Sequence, residues 1–180
     1  MRIITGLYKG RRLKSPKDNS VRPTSDKVKE AVFSMLIPYT DAGDFTVLDL
    51  FAGSGNMGLE ALSRGAKMCY FSDASRDSIK LARENAQICG AEDKCVFFLG
   101  DYKANLSRIR GQVDIIFIDP PYADKFILPA LKIIREKELL AEGGCIVCEH
   151  SSKDILPEEY EGFALTKDRR YGAIGVSIYE

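Results

Sequence analysis

Short runs of apolar residues alternate along this chain with longer stretches in which apolar residues recur every three or four positions. The first pattern is typical of buried strands, and the second is typical of helices with one apolar face. Helices are predicted at 56–64, 76–89 and 124–135, and seven strands are predicted at 46–50, 68–72, 95–99, 113–118, 144–149, 163–168 and 173–179. This alternation indicates an α/β fold: a mostly parallel sheet, helices on both faces and a C-terminal antiparallel hairpin.

Two further segments precede this core. Residues 1–17 contain two short strand candidates separated by Gly6 and Gly10, which predicts a β-hairpin arm. Residues 22–38 show helical spacing of apolar residues, and Pro38 is expected to close that helix. We therefore expect one domain over residues 1–180, with an N-terminal arm at 1–17, a helix at 22–38 and a core at 46–180.

The charges are unevenly distributed although the formal net charge is zero. The arm holds six basic residues and no acidic one: Arg2, Lys9, Arg11, Arg12, Lys14 and Lys17. A basic arm on an otherwise acidic protein favours a polyanionic partner, whereas a merely solvated basic hairpin is equally compatible with the charges.

The cysteines, the histidine content and the hydropathy of the chain restrict which classes of protein it can belong to. No apolar run approaches the roughly 20 residues that cross a bilayer, and no signal peptide is evident, so we expect a cytoplasmic protein without membrane contact. The five cysteines are expected to be free and buried. Cys145 and Cys148, three apart in a strand, should face opposite ways, and His150 is the only histidine, so no metal is expected.

A glycine-rich turn follows the first strand of the core. The sequence GSGNMG at 53–58 lies between a strand that ends at Asp49 and a predicted helix, an arrangement typical of sites for adenosine-containing cofactors. Asp73 follows at the spacing of a ribose-binding acid, which is compatible with NAD. A carboxylate at Asp49 would instead favour the positive charge of S-adenosylmethionine (SAM). A tight turn that binds nothing is the third interpretation.

Acidic residues end four successive predicted strands: Asp49, Asp73, Asp101 and Asp119. In parallel sheets, ligands bind beyond the carboxyl ends of the strands. We therefore expect these side chains to share one site.

The sequence DPPY at 119–122 is the most specific signal. Neither proline has an N–H, so a carboxylate, a free carbonyl and an aromatic face can be presented together. Asp119 and the carbonyl of Pro120 could accept hydrogen bonds from the exocyclic amine of a nucleobase, and Tyr122 could stack on the base. A Pro-Pro turn without function is the alternative.

The motifs VLDLFAGSG at 47–55 and DPPY resemble class I SAM-dependent amino-methyltransferases. Together with MRII, KGR, RPTSD at 22–26 and GLEALSRGA at 58–66, they closely resemble the RsmD family of 16S ribosomal RNA guanine-N2 methyltransferases, over nearly the whole chain. The resemblance implies a Rossmann-like fold. It also implies SAM contacts by Arg22, Thr24, Asp49, Phe51, Gly53, Gly55, Asp73 and Asp101. Asp73 stands where the family commonly has glutamate.

The resemblance further implies a methyl transfer to the N2 amine of a guanine in 16S rRNA, within an assembling small ribosomal subunit. Asp119 would orient the amine and accept its proton, Pro120 would accept its second N–H, and Tyr122 would hold the base. RNA contacts are expected from the arm residues Arg2, Lys9, Arg11, Arg12 and Lys14, and from Tyr122.

Three rival functions remain at this point. A DNA adenine-N6 methyltransferase shares DPPY but usually carries additional mass for recognition of duplex DNA. An NAD-dependent oxidoreductase would leave DPPY unexplained. A non-catalytic RNA-binding protein would leave the acidic strand ends unexplained.

Overall fold

Eight strands form one sheet in the order β3-β2-β1-β4-β5-β8-β7-β6. The computed structural model describes residues 1–16, 26–40, 43–121 and 123–180. The strands are β1 Thr46–Asp49, β2 Met68–Asp73, β3 Cys95–Leu99, β4 Val113–Ile118, β5 Leu140–Ser151, β6 Glu159–Tyr160, β7 Phe163–Tyr171 and β8 Ile174–Tyr179. Strands β1 to β5 pair in parallel, and β6, β7 and β8 pair antiparallel. The predicted mostly parallel sheet with a C-terminal hairpin is confirmed.

The helices are α1 Asp26–Met35, α2 Ile37–Thr40, α3 Asn56–Ser63, α4 Arg76–Cys89, α5 Tyr102–Leu106 and α6 Ala123–Glu136, with a 3₁₀ turn at Glu92–Lys94. Helix α4 begins and ends where the sequence predicts. The side chain of Ser75 accepts the N–H of Ser78, and Gly90 ends the helix in the left-handed region with φ 66°.

Two layers of apolar side chains hold the sheet between the helices. Val47, Phe71 and Phe117 belong to the layer that also contains residues of α1, α3 and α4. Neighbouring strand positions such as Leu48 and Ile116 belong to the second layer, with residues of α5 and α6. The alternation along each strand therefore places helices on both faces, because successive side chains of a strand point in opposite directions.

The cysteines follow the same alternation. Cys145 lies in the first layer and Cys148 in the second, so the predicted opposite orientation is confirmed. All five cysteines are free thiols, four of them buried and Cys95 half-buried. Burial raises the pKa of the Cys95 thiol to about 12, so it stays protonated and unreactive at neutral pH.

Three elements depart from the prediction. The sheet has an eighth strand, Glu159–Tyr160, which pairs with Phe163 and Ala164 at the edge. Helix α5 was not predicted, because its five residues are too few to show the helical spacing of apolar residues. Strand β5 is longer than predicted, since Leu140 already pairs with Val113 and Ser151 still pairs with Ile174.

The helix predicted at 22–38 is also different. Its residues 22–25 lie outside the described part of the chain, α1 ends at Met35, and a second short helix contains Pro38. Pro38 thus does not close a helix but occupies the first turn of the next one. Proline is tolerated there because the N–H of a first-turn residue has no partner within the helix.

The N-terminal hairpin is confirmed, although it forms a single bridge between Arg2 and Arg12 rather than regular strands. The N–H of Ile3 donates to Arg11 O at 3.0 Å, and that of Gly10 donates to Ile3 O at 2.9 Å. Ile3, Tyr8 and Leu13 are buried in the first apolar layer. The hairpin is therefore packed on the core. No helix in the described ranges is both long and apolar enough to span a membrane.

Candidate active site

One acidic residue stands at the carboxyl end of each parallel strand. In spatial order across the sheet these are Asp101, Asp73, Asp49, Asp119 and Glu149. The first four were predicted from the sequence. Glu149 was missed, although it ends the predicted fifth strand and the same rule applies to it. The sheet thus presents a continuous row of carboxylates along the edge where ligands of such folds bind.

The three glycines of the turn after β1 have different roles. A Cβ on Gly58 would lie 2.4 Å from Phe71 Cε1, so only glycine lets α3 pack this closely on β2. Gly55 has φ 77° and lies against Ala82 and Phe71. Gly53 has φ 51°, and a Cβ there would meet nothing within 4 Å. The backbone at Gly53 is therefore open to an approaching ligand, as the sequence pattern predicts.

Asp49 is the most deeply buried of these acids, with only 4% of the residue exposed. Its Oδ2 accepts the N–H of Gly58, at 3.0 Å, in the first turn of α3. Burial raises the pKa of Asp49 to about 7 against this hydrogen bond, and the negative charge of Asp73 contributes. A positively charged ligand beside Asp49 would stabilise the ionised form.

Asp73 and Asp101 both bind backbone N–H groups. Asp73 Oδ2 accepts from Gly53 at 2.9 Å and Oδ1 accepts from Ser75 at 2.8 Å, so this carboxylate fixes the glycine turn to the end of β2. Asp101 is exposed and caps α5 by accepting the N–H of Lys103 at 2.9 Å. The structural roles of these two acids were not predicted.

Asp119 is the fourth acid of the row, between Asp49 and Glu149. Desolvation raises the pKa of Asp119 well above its ordinary value, and the negative charges of Glu149 and Asp49 raise it further. The residue is nevertheless exposed, so water offsets part of the desolvation. The charges of Glu149 and Asp49 therefore account for a larger share of the raised pKa. Pro120 is buried behind it, and Tyr122 lies outside the described residues.

Three aromatic rings lie next to the row, on the side of α5 and α6. The ring centroid of Phe51 is 5.6 Å from that of Tyr102 and 5.7 Å from that of Phe126. Tyr102 and Phe126 meet edge to face at 5.6 Å. Phe51 was predicted to contact a cofactor, and the other two were not predicted. Tyr102 directly follows Asp101, so an aromatic residue next to a strand-end acid was the sequence signal that could have identified it.

A family model described as "Conserved hypothetical protein 95" matches residues 1–180 of this chain. The chain belongs to this family, the RsmD family of methyltransferases. YlbH of Bacillus subtilis, provisionally named an rRNA methyltransferase, is 40% identical over 187 aligned residues that cover this whole chain and 98% of YlbH. Ribosomal RNA small subunit methyltransferase D of Haemophilus influenzae is 32% identical over 184 residues, covering this whole chain and 93% of that one.

Solved structures show the same relationship. The structure of yhhF from Escherichia coli, provisionally named a methyltransferase, matches with a TM-score of 0.87 at 27% identity, over 99% of this chain and 96% of that chain. The Rossmann-like architecture predicted from the motifs is thus that of the RsmD family.

The basic residues of the arm are largely engaged within the protein. Arg2 pairs with Asp26 at 2.8 Å, and Lys14 pairs with Glu84 at 2.8 Å. The guanidinium of Arg11 donates to the carbonyl of Ile88. By contrast, the exposed side chains of Lys9 and Arg12 form no hydrogen bond or ion pair with any described residue.

The remaining predicted cofactor contacts, Arg22 and Thr24, lie outside the described residues. Two surface cavities of about 560 and 400 Å³ lie at the opposite, amino-terminal edge of the sheet, where both are lined by Gln112 and Glu138. Neither contains an acid of the row, so the row remains the candidate site of this RsmD family member. In the described ranges, no three His, Cys, Asp or Glu side chains are placed to hold a metal ion.

Proposed function

We propose that this protein transfers a methyl group from SAM to the exocyclic N2 amine of a guanine in 16S rRNA. The name of a relative supports the substrate class: the Haemophilus influenzae protein is called a ribosomal RNA small subunit methyltransferase. The proposed partner is the small ribosomal subunit during assembly, in the cytoplasm. A single domain over residues 1–180 is proposed to carry the activity.

The single observation that carries this proposal is the set of neighbouring carboxylates at Asp49, Asp119 and Glu149. Desolvation and the charges of Glu149 and Asp49 raise the pKa of Asp119, and burial raises that of Asp49. Like charges this close repel one another, and a cationic ligand would relieve the repulsion. The pyrophosphate of NAD would increase it. The electrostatics therefore favour SAM over a dinucleotide.

The residues around the row fit SAM. SAM supplies an electrophilic methyl group on a positively charged sulfur. Asp49 would hold positive charge, the open backbone at Gly53 would allow close approach, and Asp73 lies next to that backbone for hydroxyl groups. The rings of Phe51, Tyr102 and Phe126 offer apolar surface near Asp101, which suits a purine that carries an amino group.

Asp119 would act directly on the substrate amine. Its carboxylate and the carbonyl of Pro120 would accept the two N–H groups, which draws the nitrogen lone pair out of conjugation with the base. Because desolvation and the nearby charges raise the pKa of Asp119, it is a better proton acceptor than an ordinary aspartate. Positioning of the two reactants would supply much of the acceleration.

The test is methyl transfer to small-subunit particles prepared from cells that lack this protein. Wild-type protein and labelled SAM should give labelled N2-methylguanosine in 16S rRNA after nucleoside analysis. Duplex DNA serves as the competing substrate, and NAD serves as the competing ligand in calorimetry. Label in adenine of DNA, or binding of NAD in place of SAM, would refute the proposal.

A further inference from the structure

The turn between β7 and β8 reaches the same edge of the sheet as the row of carboxylates. Strand β8 is antiparallel to β5, and its first residue Ile174 lies opposite Ser151 at the end of β5. Tyr171 at the end of β7 pairs with Ile174 in turn. The last residues of β7 therefore lie at the carboxyl edge, beside the candidate active site.

The strand register places one arginine in line with the acids. Glu149 pairs with Val176, and Val176 pairs with Arg169, so these three residues share one face of the sheet. Asp119 follows the last paired residue of β4 and is next in register to Glu149. Three interstrand steps separate Asp119 from Arg169, or about 14 Å. An RNA strand that binds at Asp119 must extend over this distance to reach Arg169.

Three exposed cations occupy this end of the sheet, and we call them the C-terminal cationic patch: Lys153, Arg169 and Arg170. Arg169 donates to the carbonyl of Asp168 at 2.8 Å. The side chains of Arg170 and Lys153 make no hydrogen bond or ion pair with any described residue. The patch thus has charge that the protein itself does not neutralise by direct pairing.

The neighbouring acids, Asp168 and Asp154, accept hydrogen bonds from other groups of the protein. Asp168 accepts a hydrogen bond from the hydroxyl of Ser177 at 3.0 Å. Asp154 accepts the backbone N–H of Ser151 at 3.2 Å. Both carboxylates are therefore held by internal donors rather than by the cations of the patch.

The backbone that carries the patch is also well fixed. The N–H of Ser152 donates to Ala173 O at 2.9 Å, which joins the loop of Lys153 to the β7–β8 turn. His150 Nε2 lies 2.8 Å from the hydroxyl of Ser177. A Cβ on Gly175 would lie only 2.5 Å from His150 Cε1, so the ring packs directly on the glycine backbone. A fixed surface loses little conformational entropy when it binds a partner.

We propose that the C-terminal cationic patch binds phosphates of the RNA that presents the methylated base. This inference rests on the proposed function and adds a contact surface to it. From the sequence, RNA contacts are expected only at the arm and at Tyr122. However, Leu7 of the hairpin donates to Ser63, the last residue of α3, so that end of the hairpin lies away from the carboxyl edge. The patch lies at the edge itself.

The test compares two double variants that remove the same charge at opposite edges of the sheet. Arg169→Gln with Arg170→Gln alters the patch. Arg110→Gln with Lys137→Gln alters two exposed cations at the amino-terminal edge, beside the start of β4 and the end of α6. Both variants are measured for binding to small-subunit particles at several salt concentrations, for KM and kcat of methyl transfer, and for SAM affinity.

The patch variant should bind the particles about tenfold more weakly, and the slope of log affinity against log salt should fall by about 1.5 to 2. KM for particles should rise while kcat and SAM affinity stay within about twofold. The amino-edge variant should match wild type. Equal binding and salt slope in the two variants would overturn the assignment.

The experiment separates this proposal from the proposed function. If wild type binds particles with the expected difference between variants but transfers no methyl group to guanine, the surface stands and the guanine assignment fails. If wild type methylates guanine and the patch variant equals the amino-edge variant, only the surface fails. If wild type does not bind particles, both proposals fail.

Discussion

Replacing Asp49 by Asn should make the ligand-free protein more stable while weakening its binding of SAM. The substitution keeps the size of the side chain, and the amide oxygen can still accept the N–H of Gly58. It removes a charge that is buried at 4% exposure and faces the negative charge of Asp73. The same charge is the proposed partner of the cationic cofactor, so stability and function oppose one another at this position.

The raised pKa of Asp49 sets an upper limit on the free energy of unfolding that Asp49→Asn can add. Its pKa is raised from the ordinary 3.8 to about 7, a shift of about three pKa units, and each unit corresponds to about 1.4 kcal/mol. Because the folded state holds this proton more tightly, the contribution of Asp49 to stability is lost as pH rises from about 4 to about 7. The limit is about 4 kcal/mol above pH 7. We expect about half of it, since the new amide NH₂ also needs a partner.

Urea unfolding at pH 5 and pH 8 measures this effect. The advantage of Asp49→Asn over wild type should grow from pH 5 to pH 8, while calorimetry should show SAM affinity reduced at least tenfold. Asp101→Asn is the matched control for the unfolding measurement, because Asp101 is exposed and asparagine also caps helices. A variant that is less stable than wild type at pH 8, or a difference that does not change with pH, would refute the reasoning.

Three further changes test the rest of the row. Asp119→Asn should lower single-turnover methyl transfer by roughly 10²-fold, the scale of losing a proton acceptor, and should weaken SAM binding less than Asp49→Asn does; an equal rate would contradict the catalytic role. Glu149→Gln should shift the rise of the rate with pH to lower pH, because removing this charge lowers the pKa of Asp119, and an unmoved pH profile would show the two groups to be uncoupled. Asp73→Ala should weaken SAM binding by roughly 1.5–3 kcal/mol, and should also lower the urea midpoint because Gly53 and Ser75 lose their acceptor. Unchanged SAM affinity would remove Asp73 from the site.

The long apolar runs made the parallel sheet predictable. β3 and β4 lie where the sequence places them, because each is a continuous apolar run between turn residues; β4 is buried on both faces, and β3, at the edge of the sheet, is half-buried. The short elements were not predictable, since their stability comes from contacts outside their own sequence. Helix α5 is an example. The side-chain amide of Asn105 donates to the hydroxyl of Ser72 in β2 and to the carbonyls of Phe98 and Gly100 in and just after β3.

The candidate site was predictable where an acidic residue lies at the end of a strand. The rule of an acid after a strand correctly placed Asp49, Asp73 and Asp119 on one edge, and it would have added Glu149 if applied to the fifth strand. The pairing of the arm was not predictable. Lys14 meets Glu84 some 70 residues later, and a count of charges carries no information on such long-range partners.

The arm has a structural connection to the glycine turn that its basic composition does not indicate. Lys29 and Glu60 are both fully buried and lie 3.0 Å apart, and Lys29 also donates to Asn56 at 2.8 Å and to the carbonyl of Arg2 at 2.6 Å. Glu60 in turn accepts the N–H of Ile4 at 2.8 Å. A buried ion pair is tolerated only when further hydrogen bonds satisfy both partners, and the arm supplies part of them.

This network makes the arm part of the support of α3, whose first residue, Asn56, directly follows Gly55 of the turn. A second link runs through Asn85, whose amide donates both to Lys14 O at 3.1 Å and to Ser54 O at 2.9 Å. Changes in the arm should therefore disturb the cofactor turn as well as any RNA contact. Loss of activity in an arm variant cannot by itself demonstrate RNA binding, whereas the exposed C-terminal cationic patch has no such link to the turn among the described contacts and gives the cleaner test.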